Sequence, residues 1–329
     1  MRSLYISQQG CQLTLRQETV LVQLREDVVD RIQLPLLEQI LIFGRSQVTT
    51  SVIQSCLQRQ IPLAYLSHMG RCYGRLMPVD QAAYALVELQ YVLPEAARLR
   101  VAQQLVGAKL LNSRVLLQRQ QRRLPQADLA SAIASLDELA ERALTAQTIP
   151  QVLGFEGAGA AAYFPALGRC LTNSDFTFTE RSRRPPKDPV NAVLSFGYQV
   201  LWSHVLFAIE NQGLDAYRAC LHQPSPRHPA LASDLLEQFR APIVDSLMLY
   251  LVNHHILKVE EDFDFQPDAC YLNHSGRRRY LQAFLTRMHE TVQTENGEDV
   301  RWALLKQQIK AFIRCLQRPD DTYAAYRIR

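Results

Sequence analysis

The chain has 329 residues, 47% of them hydrophobic, and a formal net charge of +4. This length and composition support a packed core in about two domains and exclude a disordered or fibrous protein. The net charge alone is too small to indicate a nucleic-acid partner. Seven scattered cysteines contain no CxxC pair, so we expect a reducing cytoplasm. The first residues lack the apolar stretch of a signal peptide, and no export signal is expected.

The beginning of the chain shows the pattern of short strands. Alternating or β-branched runs recur from Ser3 to about Met77, among them CQLTL, TVLVQL and QILIFG. One stretch, SQVTTSVIQSCLQRQ, has the three- and four-residue apolar spacing of a helix. These patterns predict a small β-rich domain over residues 1–80.

After Pro78 the chain changes to long segments rich in Leu, Ala, Gln and Arg with helical spacing. Residues 81–329 are therefore predicted to form a larger all-α domain, with the boundary between residues 78 and 90. Helices are expected over residues 80–121, 128–145, 150–170, 188–211, 231–253, 275–292 and 297–317. The predicted fold class is α+β.

Basic residues are concentrated in three blocks. One lies between Glu95 and Asp128 without an intervening acid, the second is RSRRPPK, and the third runs from Arg301 to Arg329. Any single block is best explained as a solvated helix face. For the three blocks together, solvated faces and a polyanionic partner are equally weighted explanations. The cations of the second block are Arg181, Arg183, Arg184 and Lys187.

Residues 189–209 carry no formal charge and are long enough to span a membrane. Every fourth residue of this stretch is polar, which gives an otherwise apolar helix one polar stripe. The stripe consists of Asn191, Ser195, Gln199 and Ser203. We therefore expect a buried helix of a soluble domain whose stripe faces a polar cavity, and no membrane span.

Glu156 is the first candidate for chemistry. It lies among apolar and very small residues in VLGFEGAGAAAYF, where an unpaired charge costs on the order of several kcal/mol. A bound cation would compensate that charge. A surface glutamate on a small-residue packing helix is an equally weighted alternative.

A second candidate site lies in LHQPSPRHPALASDLLEQFRAP. Asp234 and Glu237 are three residues apart on a short helical stretch that Pro242 is expected to end, so both share one face. An exposed acidic face is the commoner meaning of this spacing. Together with Glu156 and His222, however, they give an oxygen-rich set with one imidazole, which suits Mg²⁺ or Mn²⁺ better than structural zinc.

Four strings occur in order, GFEGAGAAAYF, RRPPKDPVNAVLSFGY, GLDAYRACLH and ALASDLLEQFRAPIVD. Together they resemble the CRISPR spacer-acquisition integrase and endonuclease family, the larger subunit of the adaptation machinery. The resemblance implies a β-sandwich domain followed by a helical catalytic domain. It also implies a homodimer that assembles with a small ferredoxin-like subunit around double-stranded DNA.

The resemblance also implies the site residues and the reaction. Glu156, His222 and Asp234 become the metal ligands, and Glu237 becomes a further acid of the catalytic site. The string CLH matches the histidine context of the family and RHP does not, which favours His222 over His228. The implied reaction is a metal-dependent transesterification that joins the 3′-hydroxyl ends of foreign DNA to the CRISPR repeat, with hydrolysis when water attacks.

The second basic block lies between the Glu156 helix and the striped helix, so its four cations are expected to hold DNA phosphates beside the metal. Two other classes of function stay open from the residues alone. One is a non-catalytic nucleic-acid-binding scaffold, in which the acids are structural. The other is a metal-dependent phosphohydrolase of a different substrate.

Overall fold

The computed structural model describes residues 2–67, 70, 72–78, 84–223, 225, 228–294 and 297–328. The first part of the chain forms short strands and one helix, α1, over Thr50–Gln58. The strands are β1 Arg2–Ile6, β2 Cys11–Arg16, β3 Thr19–Leu24, β4 Asp27–Gln33, β5 Leu37–Phe43, β6 Gln47–Val48, β7 Leu63–Leu66 and β8 Cys72–Leu76. The strands and the helix expected in this part are confirmed.

These strands form two sheets that face each other. The first sheet has the order β1-β5-β7-β8, with β5 parallel to both β1 and β7, and the second has the order β4-β3-β2-β6. The inner faces share one core, to which Leu13, Ile40 and Val52 contribute fully buried side chains. The predicted β-sandwich is therefore confirmed.

The first sheet is also covered on its outer face. Leu41, Phe43 and Leu66 point away from the sandwich and belong to the core of the helical part. Because β5 is buried on both faces, its sequence is a nearly unbroken apolar run rather than an alternating one. The two parts are thus joined through a shared sheet. The domain boundary stays a prediction, and residues 79–83 within it lie outside the described part.

The rest of the described chain is mainly helical. Its helices are α2 Tyr84–Val92, α3 Glu95–Arg123, α4 Ala130–Leu144, α5 Ile149–Gly168, α6 Pro189–Glu210, α7 Ala230–Leu236, α8 Ser246–Asn253, α9 Val259–Asp262, α10 His274–His289 and α11 Arg301–Gln317. The helix expected over residues 80–121 is two helices, because Pro94 has an extended ψ of 145° and α3 begins after it.

Two short antiparallel hairpins interrupt the helical part, and the sequence patterns did not predict them. One pairs β9 Phe263–Gln266 with β10 Ala269–Leu272, and the other pairs β11 Thr291–Thr294 with β12 Gly297–Val300. The α+β class is confirmed, although the second domain is not purely helical.

Pro242 does not end the helical stretch, contrary to expectation. After α7 the chain makes a 3₁₀ turn over Glu237–Phe239 and a π-helical turn over Arg240–Asp245, and then continues into α8. The wider π turn accommodates a residue that cannot donate a ladder hydrogen bond. Asp234, Glu237 and Asp245 therefore lie along one continuous helical segment.

Helix α6 lies at the centre of the helical part. Asp188 caps it by accepting a hydrogen bond from the Asn191 N–H (2.8 Å). One 18-residue window of α6 is apolar enough to cross a membrane, but 83% of that window is buried inside the protein. The expectation of a buried core helix is confirmed.

Two contacts hold α6 to the β-rich part. The buried His204 ring has Nε2 2.5 Å from the Tyr5 hydroxyl and Nδ1 in contact with the Gln39 amide, and burial lowers the pKa of His204 to about 3. At the end of the helix, Glu210 forms a two-point ion pair with Arg75 of β8. The neutral His204 ring and the Glu210–Arg75 ion pair thus hold the helical part against the β-rich part.

An extended segment, residues 318–328, crosses the helical part and is called the strap segment here. The Tyr326 N–H donates to Gln238 Oε1 (2.6 Å), and the Ile328 N–H donates to Asn112 Oδ1 (2.8 Å). Asn112 Nδ2 in turn donates to the Gln238 carbonyl (2.7 Å). The two buried amides tie the strap segment to both α3 and the turn that follows α7.

Candidate metal and DNA site

Close packing of α3 on α5 brings Lys109 against Glu156. Gly159 makes the approach possible, because a Cβ at that position would lie 2.1 Å from the Leu110 side chain. Glu156 lies one turn before Gly159, and its carboxylate forms an ion pair with the Lys109 ammonium. Gly159 therefore serves helix packing, and that packing places a cation beside the carboxylate, whereas Gly157 faces open space.

Glu237 approaches the same ammonium from the turn after α7. Its Oε2 lies 2.7 Å from Lys109 Nζ and 2.9 Å from Arg240 Nε, yet it has no aligned hydrogen bond. Burial opposes ionisation of Glu237, but Arg240 and Lys109 outweigh it and lower its pKa to about 2. Two carboxylates from separate helical segments thus share one lysine.

Asp234 is completely buried, and both of its oxygens are occupied. Oδ2 accepts hydrogen bonds from the N–H groups of Cys220 (2.7 Å) and Leu221 (2.8 Å). Oδ1 accepts from the His222 N–H (3.0 Å) and lies 2.7 Å from His222 Nδ1. These four contacts fill the acceptor positions of a carboxylate. Asp234 therefore holds both the backbone and the ring of His222 in place.

His222 is held so that one ring nitrogen stays available. A carboxylate only accepts hydrogen bonds, so the Asp234 contact assigns the proton to Nδ1 and leaves the Nε2 lone pair free. The side chain is 34% exposed. The hydrogen bond to Asp234 raises the pKa of His222, and the charges of Glu237 and Glu156 add to that effect. The imidazole is thus an electrostatic neighbour of both carboxylates.

His228 occupies a different place. Its ring stacks on Trp202, with centroids 6.0 Å apart and planes 12° apart, and its Nε2 lies 3.0 Å from Ser233 Oγ. Burial, together with nearby positive charge from His222, lowers the pKa of His228. In the described structure His228 contacts neither Glu156 nor Glu237, so its surroundings differ from those of His222.

A buried network that the sequence patterns did not reveal lies behind Glu237. The Arg240 guanidinium lies 4.5 Å from the Tyr198 ring centre, and the Tyr198 hydroxyl donates to Asp245 Oδ1 (2.5 Å). The Tyr163 hydroxyl donates to Asp245 Oδ2 (2.7 Å). Burial raises the pKa of Asp245 despite these donors. The spacing of Glu237 and Arg240 could have hinted at one end of the network, since i and i+3 residues meet on a helix.

Arg181 is built into the polar stripe of α6. Its guanidinium donates to Asn191 Oδ1 (2.7 Å) and Ser195 Oγ (3.0 Å) and lies 5.5 Å from the Tyr198 ring centre. Burial lowers the pKa of Arg181. The first half of the stripe therefore binds an arginine of this chain, which leaves little of that side chain for a DNA phosphate.

Arg183, Arg184 and Lys187 are exposed instead. The two arginines line a cavity of about 1000 Å³, together with Ser195 and Gln199 of the polar stripe. The expectation that the stripe faces a polar cavity is met only by these two stripe residues, because Asn191 binds Arg181, Ser203 is buried, and Phe196 and Trp202 make part of the cavity wall apolar. These three cations are exposed, whereas Arg181 is only partly exposed and already hydrogen-bonded within the chain.

The donor set suits a divalent ion, but the described residues show no group of three or more His, Cys, Asp or Glu side chains already arranged around one ion. The Lys109 ammonium lies where Glu156 and Glu237 converge. Two carboxylates and one free imidazole nitrogen are ligands that Mg²⁺ or Mn²⁺ accepts. The Lys109 ammonium donates a hydrogen bond to Glu156, whereas its contact with Glu237 is an ion pair without an aligned hydrogen bond.

The described structure joins a β-sandwich to a helical part in which two carboxylates meet at one lysine and a third carboxylate orients an imidazole. The family model described as CRISPR associated protein Cas1 matches residues 4–286. The chain belongs to the Cas1 family, and the resemblance inferred from the four strings is confirmed.

Individual relatives agree with this assignment. The chain is 32% identical over 290 residues to a CRISPR-associated endonuclease Cas1 of Thermus thermophilus, covering 88% of each. It is 37% identical over 266 residues to a Cas4 exonuclease and Cas1 endonuclease fusion of Geobacter sulfurreducens, covering 77% of this chain and 47% of the fusion. The chain thus spans about half the length of such fusions.

Solved structures show the same fold. A Cas1 protein from Thermotoga maritima superposes with a TM-score of 0.82 at 22% identity, covering 99% of this chain and all of the other. A casposase bound to its integration product superposes with a TM-score of 0.83 at 21% identity, covering 100% of this chain and 96% of the other.

Proposed function

We propose that this chain is a metal-dependent DNA integrase and endonuclease of CRISPR adaptation. The observation that carries the proposal is the meeting of Glu156 and Glu237 at one cationic position, beside an imidazole whose free nitrogen is fixed by Asp234. Relatives named as Cas1 endonucleases and a structural neighbour bound to an integration product support it.

Glu156, Glu237 and the Nε2 atom of His222 would hold the ion, which we take to be Mg²⁺ or Mn²⁺. Asp234, which the sequence pattern placed among the ligands, would instead orient His222, as outer-shell carboxylates do for metal-bound histidines. When bound, the ion would lower the pKa of the attacking hydroxyl and offset charge on the phosphoryl oxygens. Glu237 stays ionised at neutral pH, because Arg240 and Lys109 hold its pKa low.

The reaction requires no covalent protein intermediate. The 3′-oxygen of the incoming DNA forms a bond to the target phosphorus, the bond from that phosphorus to the target 3′-oxygen breaks, and the leaving oxygen takes up a proton. Attack by water in place of the 3′-hydroxyl gives a nuclease product at the same site. The chain contributes placement and charge, with Arg183 and Arg184 holding phosphates at the cavity and the exposed Lys187 of the same segment holding a further one.

The partners are also proposals. Solved structures of a complex containing Cas1 and Cas2 share this fold, one with a TM-score of 0.86 over 100% of this chain. We propose that the chain acts as a homodimer with a small ferredoxin-like subunit on double-stranded DNA. A cytoplasmic location fits the seven cysteines, all of which are free thiols and six of which are buried.

The test is a strand-transfer assay. Purified protein, with and without the small subunit, is incubated with Mn²⁺, a short 3′-hydroxyl duplex and supercoiled target DNA. A covalently joined product is expected from the 3′-hydroxyl donor, and none from a matched donor with a 3′-deoxy end. Binding of both DNAs without a joined or cleaved product would support a non-catalytic scaffold instead.

A further inference from the structure

Lys109 contacts both of the carboxylates proposed as ligands. Its side chain is 13% exposed, and its ammonium forms ion pairs with Glu156 and Glu237. Two carboxylates this close repel each other, and burial makes an uncompensated pair costly. In the absence of a divalent ion, the lysine therefore stabilises the converged arrangement of the two acids.

The geometry points to Lys109 as an internal counter-ion that takes the place of the divalent metal and competes with it. This inference rests on the proposed function, because it assumes that Glu156 and Glu237 are metal ligands. An ammonium and a divalent cation cannot share the same pair of carboxylate oxygens. The metal binds only as Lys109 withdraws, so the lysine lowers metal affinity while keeping the empty site folded.

The surroundings allow Lys109 to withdraw without dismantling the site. Withdrawal breaks one hydrogen bond, to Glu156, and one ion pair, to Glu237, and the flexible four-carbon stem of lysine lets the ammonium move while its backbone stays in α3. Glu237 keeps a second cation, Arg240, whose guanidinium stays packed on Tyr198. One cation is therefore exchangeable and the other is fixed.

Charge counting supports the same conclusion. Glu156 and Glu237 together are balanced by Lys109 and Arg240, so the four side chains sum to zero. A divalent ion added to that set leaves an excess of two positive charges. Withdrawal of Lys109 from the centre reduces the excess to one. Repulsion between the ammonium and the metal at such short distances is strong even at an effective dielectric constant of about 20.

The test measures Mn²⁺ binding to the metal-free protein without DNA, by electron paramagnetic resonance of the free ion. Lys109→Met, which keeps the stem and removes the charge, is expected to bind Mn²⁺ at least about tenfold more tightly than the wild type. Lys109→Arg, which keeps the charge, is expected to bind no more tightly. Lys306→Met removes an exposed ion pair with Glu38 and serves as the surface control. Unchanged or weaker binding by Lys109→Met would overturn the inference.

Thermal unfolding gives an independent readout. Lys109→Met is expected to melt at a lower temperature than the wild type without metal, and Mn²⁺ should raise its melting temperature by more than it raises that of the wild type. If the variant is unfolded without metal, refolding in Mn²⁺ must recover it, and failure to recover overturns the inference. Wild-type-like Mn²⁺ binding by both Glu156→Gln and Glu237→Gln would instead remove the proposed metal site itself, whatever Lys109→Met shows.

Discussion

Asp234 and Glu237 are both buried acidic residues, and they lie three residues apart on one helical segment. Their partners differ. Asp234 accepts hydrogen bonds from three backbone N–H groups and from the His222 ring, whereas Glu237 forms ion pairs with Lys109 and Arg240. Backbone amides cannot leave, so Asp234 is committed to the loop that carries His222. Side-chain cations can move, and the proposal that Glu237 exchanges one partner for a metal depends on that difference.

The difference shows that burial alone does not separate a ligand from a structural acid. What matters is whether the groups that compensate the charge are part of the backbone. Arg181 differs from the exposed arginines beside it for another reason, because side chains of the polar stripe already bind it. Four experiments extend or challenge this comparison.

The largest effect is expected for Glu237→Gln. Loss of one charged ligand should reduce Mn²⁺-dependent strand transfer by about 10³-fold or more, because such ions contribute several kcal/mol to the transition state. The far-UV circular dichroism spectrum should be unchanged, and Mn²⁺ binding should weaken. Strand transfer within tenfold of the wild type would remove Glu237 from the metal site. The contrast between Glu237 and Asp234 would then have no bearing on metal binding.

The next largest effect is a loss of stability in the Asp234→Asn variant. The new NH₂ group cannot accept hydrogen bonds, so the donors facing that half of the side chain lose their acceptor, and we expect the unfolding free energy to fall by about 3 kcal/mol. Urea unfolding measures the loss, and saturating Mn²⁺ should not restore it. If the variant unfolds like the wild type and loses Mn²⁺ affinity as Glu237→Gln does, Asp234 is a direct ligand after all.

A smaller effect is expected on DNA binding. The triple variant with alanine at Arg183, Arg184 and Lys187 should lower the slope of log affinity against log salt by about 0.9 for each phosphate that it no longer binds. Arg181→Met should change that slope little and reduce thermal stability instead, because Arg181 is held by Asn191 and Ser195. Fluorescence anisotropy at several salt concentrations distinguishes the two. Equal slopes for the triple variant and the wild type would contradict the assignment.

The smallest effect concerns pH. The hydrogen bond to Asp234 raises the pKa of His222 above its unfolded value, so the pair stabilises the fold below about pH 6.5, and this contribution is lost as pH rises through the folded pKa. Since the ring is partly exposed, the contribution should be below about 1 kcal/mol. The unfolding free energy of the metal-free wild type should exceed that of His222→Gln by more at pH 6 than at pH 9. The opposite trend would mean that Asp234 does not bind the charged ring.

Much of the fold could be predicted from periodicity. The strands of the sandwich and the long helices carry regular patterns, and the polar stripe distinguished α6 from a membrane span. The two hairpins could not be predicted, because each strand has only four residues, too few to show a period. The π turn at Pro242 was also hidden, since proline ordinarily ends a helix and only tertiary packing carries this one through.

The candidate site was predictable in its residue types but not in its contacts. Glu156, His222, Asp234 and Glu237 could be chosen from acid and imidazole spacing and from the family resemblance. Which of the acids is saturated by backbone groups depends on how residues 220–222 fold over Asp234, and no local pattern encodes that. Lys109 was counted only as one member of a basic block, because its partners lie 47 or more residues away.

The strap segment, residues 318–328, helps to set the spacing between α3 and the turn that contains Glu237. Asn112 lies one helical turn beyond Lys109, Gln238 directly follows Glu237, and both amides take partners from residues 326 and 328. Proteolytic removal of residues 318–328 would leave the buried Gln238 and Asn112 side chains without the backbone N–H donors of Tyr326 and Ile328. We therefore expect a label, tag or chain break in the strap segment to change the spacing of Glu156 and Glu237, although it contacts neither residue.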